Sequence, residues 1–260
     1  MKLFDSHCHL DDRAFDKDLD DVVRRMHAAG VASAMTIGTT LDRCVKGVAI
    51  AESTPGVYAA VGIHPHDAKS CDEDVLKTLV DLAASPGVRA WGEIGLDFNR
   101  MYSPRDVQEK WLIRQLEVSE TLNLPGIFHE RDSDGRLIDI LKSHFASGRT
   151  GVVHCFSGSE AELKQYLDLG LFIGITGIIT IKGRGEALRK MAPSIPLDRI
   201  LIETDAPYLT PTPERNHTQR NEPAFVRSVL LKLAEVSRQD PVSLSETLWD
   251  NTCRLYGVES

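Results

Sequence analysis

Short runs rich in β-branched and apolar residues alternate with longer amphipathic or charged stretches along almost the whole of this 260-residue chain. Repeated strand-then-helix units of this kind build a parallel sheet, so the alternation limits the fold more than any other feature. The expected strands cover residues 2–10, 32–38, 57–64, 88–97, 124–131, 150–158, 171–177 and 199–205. Helices are expected between them, for example over 16–29, 72–84, 106–122 and 160–169. Several begin on an acidic residue, which suits the positive end of a helix. A helical tail follows from about Glu222. Eight strands, seven intervening helical stretches and this length favour a closed (β/α)8 TIM-type barrel of the α/β class over an open doubly wound sheet. No linker divides the chain, so residues 1–260 read as a single domain. The polar stretch 210–221, with Pro211 and Pro213, reads as an active-site loop after the eighth strand.

Charge and cysteine content narrow the setting. A formal net charge of -8 argues against long non-specific contacts to duplex nucleic acid, which need many phosphates neutralised by Lys and Arg. The cysteines, five in number, are scattered and include no CxxC pair, which excludes a zinc ribbon and gives no disulfide framework. The opening MKLFDSHCHL lacks the basic-then-apolar pattern of a secretory leader, and no window approaches 18 uncharged apolar residues. Reduced thiols, no membrane association and a cytoplasmic location are the expectation.

Chemistry is concentrated where the expected strands end. His7 and His9 close the first strand, His64 the third and Asp205 the eighth, while Glu93, His129 and His154 lie in the fourth, fifth and sixth. In a parallel barrel those ends share one rim, where catalytic residues of this fold converge. The i, i+2 spacing of His7 and His9 puts both imidazoles on one face of a strand with Cys8 on the other. Two neutral imidazoles so placed chelate one cation, although a solvated strand end gives the same spacing. Glu93 sits in an apolar strand, where an unpaired carboxylate is costly; a cation or a structural ion pair would relieve it. His129 and His154, taken singly, also read as hydrogen-bonded core histidines. Their shared position with the others favours ligands. Asp205 ends Ile-Leu-Ile-Glu-Thr-Asp and is placed to bind a metal and to orient or deprotonate a water. Six N/O ligands exceed what one small cation with an open position uses, and divide into two sites sharing a carboxylate. A ligand set without Cys points to Mg, Mn or Zn.

The strings DSHCHL, GIHPHD, GEIGLDF, FHERDS, VHCFSG, GITG, IETDAPYL and RNEP together resemble the TatD family of metal-dependent deoxyribonucleases, within the amidohydrolase-like barrels. The likeness spans essentially the whole chain, with the motifs in the family's order. It implies two divalent metal ions, one held by His7, His9, Glu93 and Asp205 and the other by Glu93, His129 and His154. It also implies hydrolysis of DNA phosphodiesters, often from the 3′ end of single strands, with Glu93 and Asp205 as the catalytic carboxylates and single-stranded nucleic acid as the partner. His64 and Arg220 would then contact phosphate; a surface ion pair, for example with Glu222, is the other reading of Arg220. Glu203 completes the substrate side of the site, and its i−2 spacing from Asp205 also suits support of a ligand histidine. Glu130 departs from the family pattern, which usually has a small residue there; it points away from His129 on a strand, and its charge bears on substrate preference. A monomer is the favoured oligomeric state.

Barrels of this superfamily share metal geometry across many substrates, so a small-molecule hydrolase acting on an amide, lactone or phosphotriester is the main alternative. Many of those bridge their metals with a carboxylated lysine, whereas the bridge expected here is Glu93. A non-catalytic barrel predicts eroded ligands, and this sequence retains all of them.

Overall fold

The computed structural model describes residues 1–145 and 147–259. Eight strands, β1 (Leu3–Cys8), β2 (Val31–Ile37), β3 (Val57–Val61), β4 (Val88–Asp97), β5 (Gly126–Arg131), β6 (Gly151–Val153), β7 (Phe172–Ile175) and β8 (Ile200–Ile202), lie in sequence order. Each is parallel to the next. Helices α1 (Leu19–Ala28), α2 (Leu41–Ser53), α3 (Glu73–Leu82), α4 (Arg105–Leu122), α5 (Arg136–His144), α6 (Glu160–Asp168) and α7 (Glu186–Met191) fill the intervals. α8 (Val226–Ser237) and α9 (Pro241–Tyr256) follow β8. The helix starts are local chemistry: Thr40, Asp72, Ser159 and Asp240 each accept a hydrogen bond from the first turn of α2, α3, α6 and α9.

One buried cluster draws on every strand: Phe4, Met35 with Ile37, Ala60, Ala90, Ile127, Val152, Phe172 and Leu201. Only the interior of a closed barrel brings all eight together. Large Phe4 and Phe172 face small Ala60 and Ala90, so the interior fills with side chains rather than leaving a pore. Trp249 and Tyr256 of α9 join this cluster and plug one end, with Trp249 5.8 Å from Phe4 between ring centroids. The outward-facing residues of the strands, such as Trp91, Ile94 and Leu96, pack under the helices in a second cluster.

Two register shifts decide the site. On β1 the pairing with β2 skips between Asp5 and Cys8, and on β4 the pairing with β5 skips between Gly92 and Ile94. A bulge adds a residue and reverses the alternation of faces. Glu93, which strict alternation from outward Trp91 would send outward, therefore stays on the inner side, and Ile94 and Leu96 return to the outer layer. Gly92 and Gly95 permit the close approach of β5: both have positive φ (155° and 150°), and a Cβ on Gly95 would collide with the His129 carbonyl.

β8 and β1 meet without a regular ladder. Asp205 N donates to His7 O (2.9 Å), His9 N to Ala206 O (2.7 Å) and Ser6 Oγ to Ile202 O (3.0 Å). Asp5 accepts from Thr204 N (2.8 Å) and Thr204 Oγ1 (2.5 Å). The seam is thus closed at the rim by the segments that carry His7, His9 and Asp205. The expected strands 2–10, 57–64, 150–158, 171–177 and 199–205 all overrun the observed ones. His9, His64, His154 and Asp205 stand just past the last ladder bond, because there the backbone turns outward to deliver side chains over the barrel mouth. Asp205 takes φ 58° in that turn, a left-handed conformation that Asp tolerates.

Candidate metal centre

Burial, hydrogen bonding and tautomer sort the histidines of the rim into distinct jobs. His7 is fully buried, stacks on His154 with 3.7 Å between ring centroids, and has no hydrogen-bond partner at either Nδ1 or Nε2. Its Nε2 lies 3.5 Å from Glu93 Oε2 and 3.8 Å from Asp205 Oδ1. Burial, and then the neighbouring His154, lower its pKa, so it is a neutral imidazole. His9 Nδ1–H donates to Ile37 O (2.9 Å), which turns its Nε2 toward Asp205 Oδ1 (3.3 Å). His154 Nδ1–H donates to Glu203 Oε1 (3.0 Å), turning its Nε2 toward Glu93 Oε1 (3.3 Å). A carboxylate or carbonyl behind a histidine is the arrangement that fixes a metal-binding tautomer.

His129 Nδ1 faces Glu93 Oε1 (2.7 Å) and its Nε2 faces Asp97 Oδ2 (3.4 Å). His64 is the exception. Its Nδ1 accepts from His66 N (3.0 Å), so Nε2 carries the proton and points that N–H toward Glu93 Oε1 (3.4 Å). A ring presenting N–H to the mouth suits an anion rather than a cation.

Glu93 lies at the centre of these contacts. Burial opposes its charge, but His154, His64 and His129 outweigh burial and hold the carboxyl well below the usual carboxylate range. Burial likewise opposes protonation of His9 and His129, yet Asp205 raises His9 to about 9, and Asp97 with Glu93 raises His129 to about 10. His64 falls to about 4 through burial. Potential ligand atoms cluster in the sets His7/His9/Glu93, His7/His154/Asp205 and Glu93/His129/His154, each within 4.8 Å.

All six residues expected on the rim therefore converge, together with His64 and Glu203. Glu203 stands fully buried behind His154, also accepting from Cys155 N (2.6 Å) and Ser6 Oγ (3.4 Å), so it supports the site from inside rather than facing the cleft. Arg220 lies outside the cluster's contacts. Its guanidinium donates to both oxygens of Asp18 (2.8 and 2.7 Å) and to Ala14 O (2.7 Å), while Glu222 is engaged by Arg25. Glu130 accepts from Ser133 N (3.0 Å) and Ser133 Oγ (2.6 Å), tying down the turn before α5. A cleft of about 530 Å³ opens beside the cluster, lined by His129, His154, Asp205, Arg131 and Arg184 among others.

Two members were not singled out by sequence reasoning. Asp97, fully buried, lies 2.6 Å from His66 Nε2 and 3.4 Å from His129 Nε2, and its other oxygen accepts from Asn99 N (3.0 Å) and Arg100 N (2.7 Å). The signal was available: Asp97 is four residues after Glu93 on one strand and so shares its face. His66 ends the HPH of GIHPHD, beside the His64 that was chosen.

The geometry can be set beside known proteins. A profile described as TatD related DNase matches residues 4–257. A protein of Rahnella sp. (strain Y9602) named 3'-5' ssDNA/RNA exonuclease TatD is 39% identical over 99% of both chains. The protein of the same name from Escherichia coli (strain K12) is 36% identical over 98% of this chain and 99% of its own. Among solved structures, a TatD homologue from Escherichia coli k12 superposes with a TM-score of 0.91 at 31% identity, covering 99% of this chain and 98% of that one. A TatD family hydrolase from Entamoeba histolytica, 23% identical with a TM-score of 0.89 and 98% coverage of both chains, shares the fold.

Proposed function

The chain belongs to the TatD-related DNase family, and from that premise we propose that its rim cluster hydrolyses phosphodiester bonds of single-stranded nucleic acid from the 3′ end, using two divalent cations. The observation that carries this reading is His7, a neutral imidazole buried with both ring nitrogens unpartnered. Such a group costs about 1–3 kcal/mol unless something absent from the protein itself pairs with it. The surrounding Nε2 atoms of His9 and His154, once deprotonated, and the carboxylates of Glu93 and Asp205 are the donor set of a hard or borderline cation.

In this proposal His7, His9, Glu93 and Asp205 hold one ion, and Glu93, His129 and His154 hold the other. Bound there, Mg, Mn or Zn would supply an acidified water and charge neutralisation for both the attacking and departing oxygens of an in-line displacement at phosphorus. Asp205, at the mouth, orients the attacking water and accepts its proton. His64 donates its Nε2–H to a non-bridging phosphate oxygen. Glu203 and Asp97 fix the rings of His154 and His129. Arg184 and Arg131 line the cleft where the rest of the strand would lie. For Arg220 the structure favours a supporting role at α1 over phosphate contact, since Asp18 occupies its fork.

Glu93 rather than a lysine stands between the two ligand groups, which disfavours the small-molecule hydrolase. The test is activity of the purified protein with Mg or Mn on an end-labelled single-stranded oligonucleotide, beside a lactone and dihydropyrimidine panel. Stepwise shortening from the 3′ end is expected; turnover of a panel member without nucleolytic products overturns the proposal. Metal analysis under saturating conditions should give two ions per chain. We place the reaction in the cytoplasm of a cell, where the five free cysteines stay reduced. Among the described residues no helix is long and apolar enough to cross a membrane.

A further inference from the structure

The aromatic rings of the site form a continuous row. Tyr208 lies edge-on to His9 (5.9 Å between centroids) and His9 edge-on to His7 (5.1 Å), which stacks on His154 (3.7 Å). His154 neighbours His129 (6.1 Å), His129 is edge-on to His64 (4.5 Å), His64 to His66 (4.3 Å), and His66 to Tyr102 (4.9 Å). The imidazoles inside the row are buried or half-buried, whereas the terminal tyrosines are 48% and 56% exposed. They come from separate parts of the rim, Tyr208 from the loop after β8 and Tyr102 from the loop after β4.

Both rings sit on fastened backbone. Tyr208 Oη donates to Asp12 Oδ2 (3.0 Å), Tyr208 N to Asp205 O (2.8 Å), and Tyr208 O accepts from Asn221 Nδ2 (2.6 Å). Beside Tyr102, Ser103 Oγ donates to His66 O (2.9 Å) and accepts from Lys69 N (3.0 Å), and Gln108 Nε2 donates to Ser103 O (2.8 Å). Large aromatic faces left in water, yet held in place, bind a flat partner at little cost in conformational entropy.

We propose that Tyr102 and Tyr208 are stacking platforms for unpaired nucleobases of the substrate strand, one on each side of the phosphate being cut. The inference rests on the phosphodiesterase reading of the site and adds what recognises the nucleotide itself. Every base has a π face, so such platforms tolerate sequence. A base within a duplex is already stacked and paired, so the same platforms select single strands. The net charge of -8 points the same way: the chain is poorly suited to long phosphate tracking, and stacking supplies affinity that charge does not.

The test compares Tyr102→Ala, Tyr208→Ala and the two Phe variants on two Mn-dependent substrates. One is an ordinary single-stranded oligonucleotide; the other carries base-free tetrahydrofuran residues at its two 3′-terminal positions. Circular dichroism verifies folding, which half-exposed positions should not disturb. Each Ala variant is expected to raise KM on the ordinary strand about tenfold, while Phe restores it. The preference for the base-bearing strand over the base-free one should shrink in the same proportion. Anisotropy of a labelled strand provides a readout independent of turnover. Alanine variants with unchanged KM and unchanged strand affinity, or an equal loss on both substrates, overturn the platforms alone. An unaltered protein that cleaves neither substrate overturns the phosphodiesterase reading, and the platforms with it.

Discussion

At the scale of single residues, the division of labour among the histidines follows from what lies behind each ring. Ile37 O behind His9 and Glu203 behind His154 turn the Nε2 of each ring to the centre of the rim, where it can lose its proton to a cation, whereas His66 N behind His64 keeps the proton on Nε2. Glu93→Gln keeps the shape of the central side chain and removes its charge, so it should abolish metal binding and slow phosphodiester cleavage by more than about a hundredfold, several kcal/mol of lost electrostatic stabilisation. Calorimetric titration with Mn and single-turnover rates check both. Asp97→Asn should weaken metal affinity by about 10–100-fold through the loosened His129 ring, with little change in the far-ultraviolet circular dichroism; unchanged affinity would make Asp97 a loop anchor only. The pH dependence has a definite sign. In the metal-free protein His9 and His129 titrate near 9 and 10 and are protonated at neutral pH. A cation held by these rings would bind only their deprotonated forms, so loading would expel protons. Metal affinity should therefore climb from pH 6 to about pH 10, with proton release visible as a dependence of the binding heat on buffer.

At the scale of elements, β4 carries the most consequence. It holds Glu93 and Asp97 on one strand, and its bulge turns Glu93 inward while Trp91, Ile94 and Leu96 stay in the outer layer. That path depends on Gly95, whose positive φ and lack of a Cβ let the His129 carbonyl approach. Gly95→Ala should cost about 3 kcal/mol or more, beyond ordinary overpacking because the backbone itself must move. Urea midpoints measure the loss, and metal stoichiometry should fall with it. Asp72→Ala, at the start of α3 and away from the rim, should cost about 1 kcal/mol from the lost cap and leave kcat unaltered, which separates a helix end from a functional strand end.

At the scale of the whole molecule, one end of the barrel is plugged by α9 and the other is given to chemistry. Trp249→Ala should remove about 3–5 kcal/mol and lower the thermal midpoint by roughly 2–4 °C for each kcal/mol, while metal binding by the folded state is unchanged. The sequence by itself determined the eightfold alternation of strand and helix, and with it the barrel and the gathering of His7, His9, Glu93, His129, His154 and Asp205 on one rim, because strand order and parallelism fix which ends meet. Periodicity also placed His7 and His9 on one face. It did not set where strands stop: His9, His64, His154 and Asp205 lie past the ladders, since the hydrogen bonds that end a strand come from neighbours distant in sequence. Nor did it show that Glu93 faces inward, which depends on a bulge formed only against β5. The partners of Arg220, the burial of Glu203 behind His154 and the sharing of Asp97 between His66 and His129 were decided by tertiary structure, because each joins segments that meet only when the barrel closes.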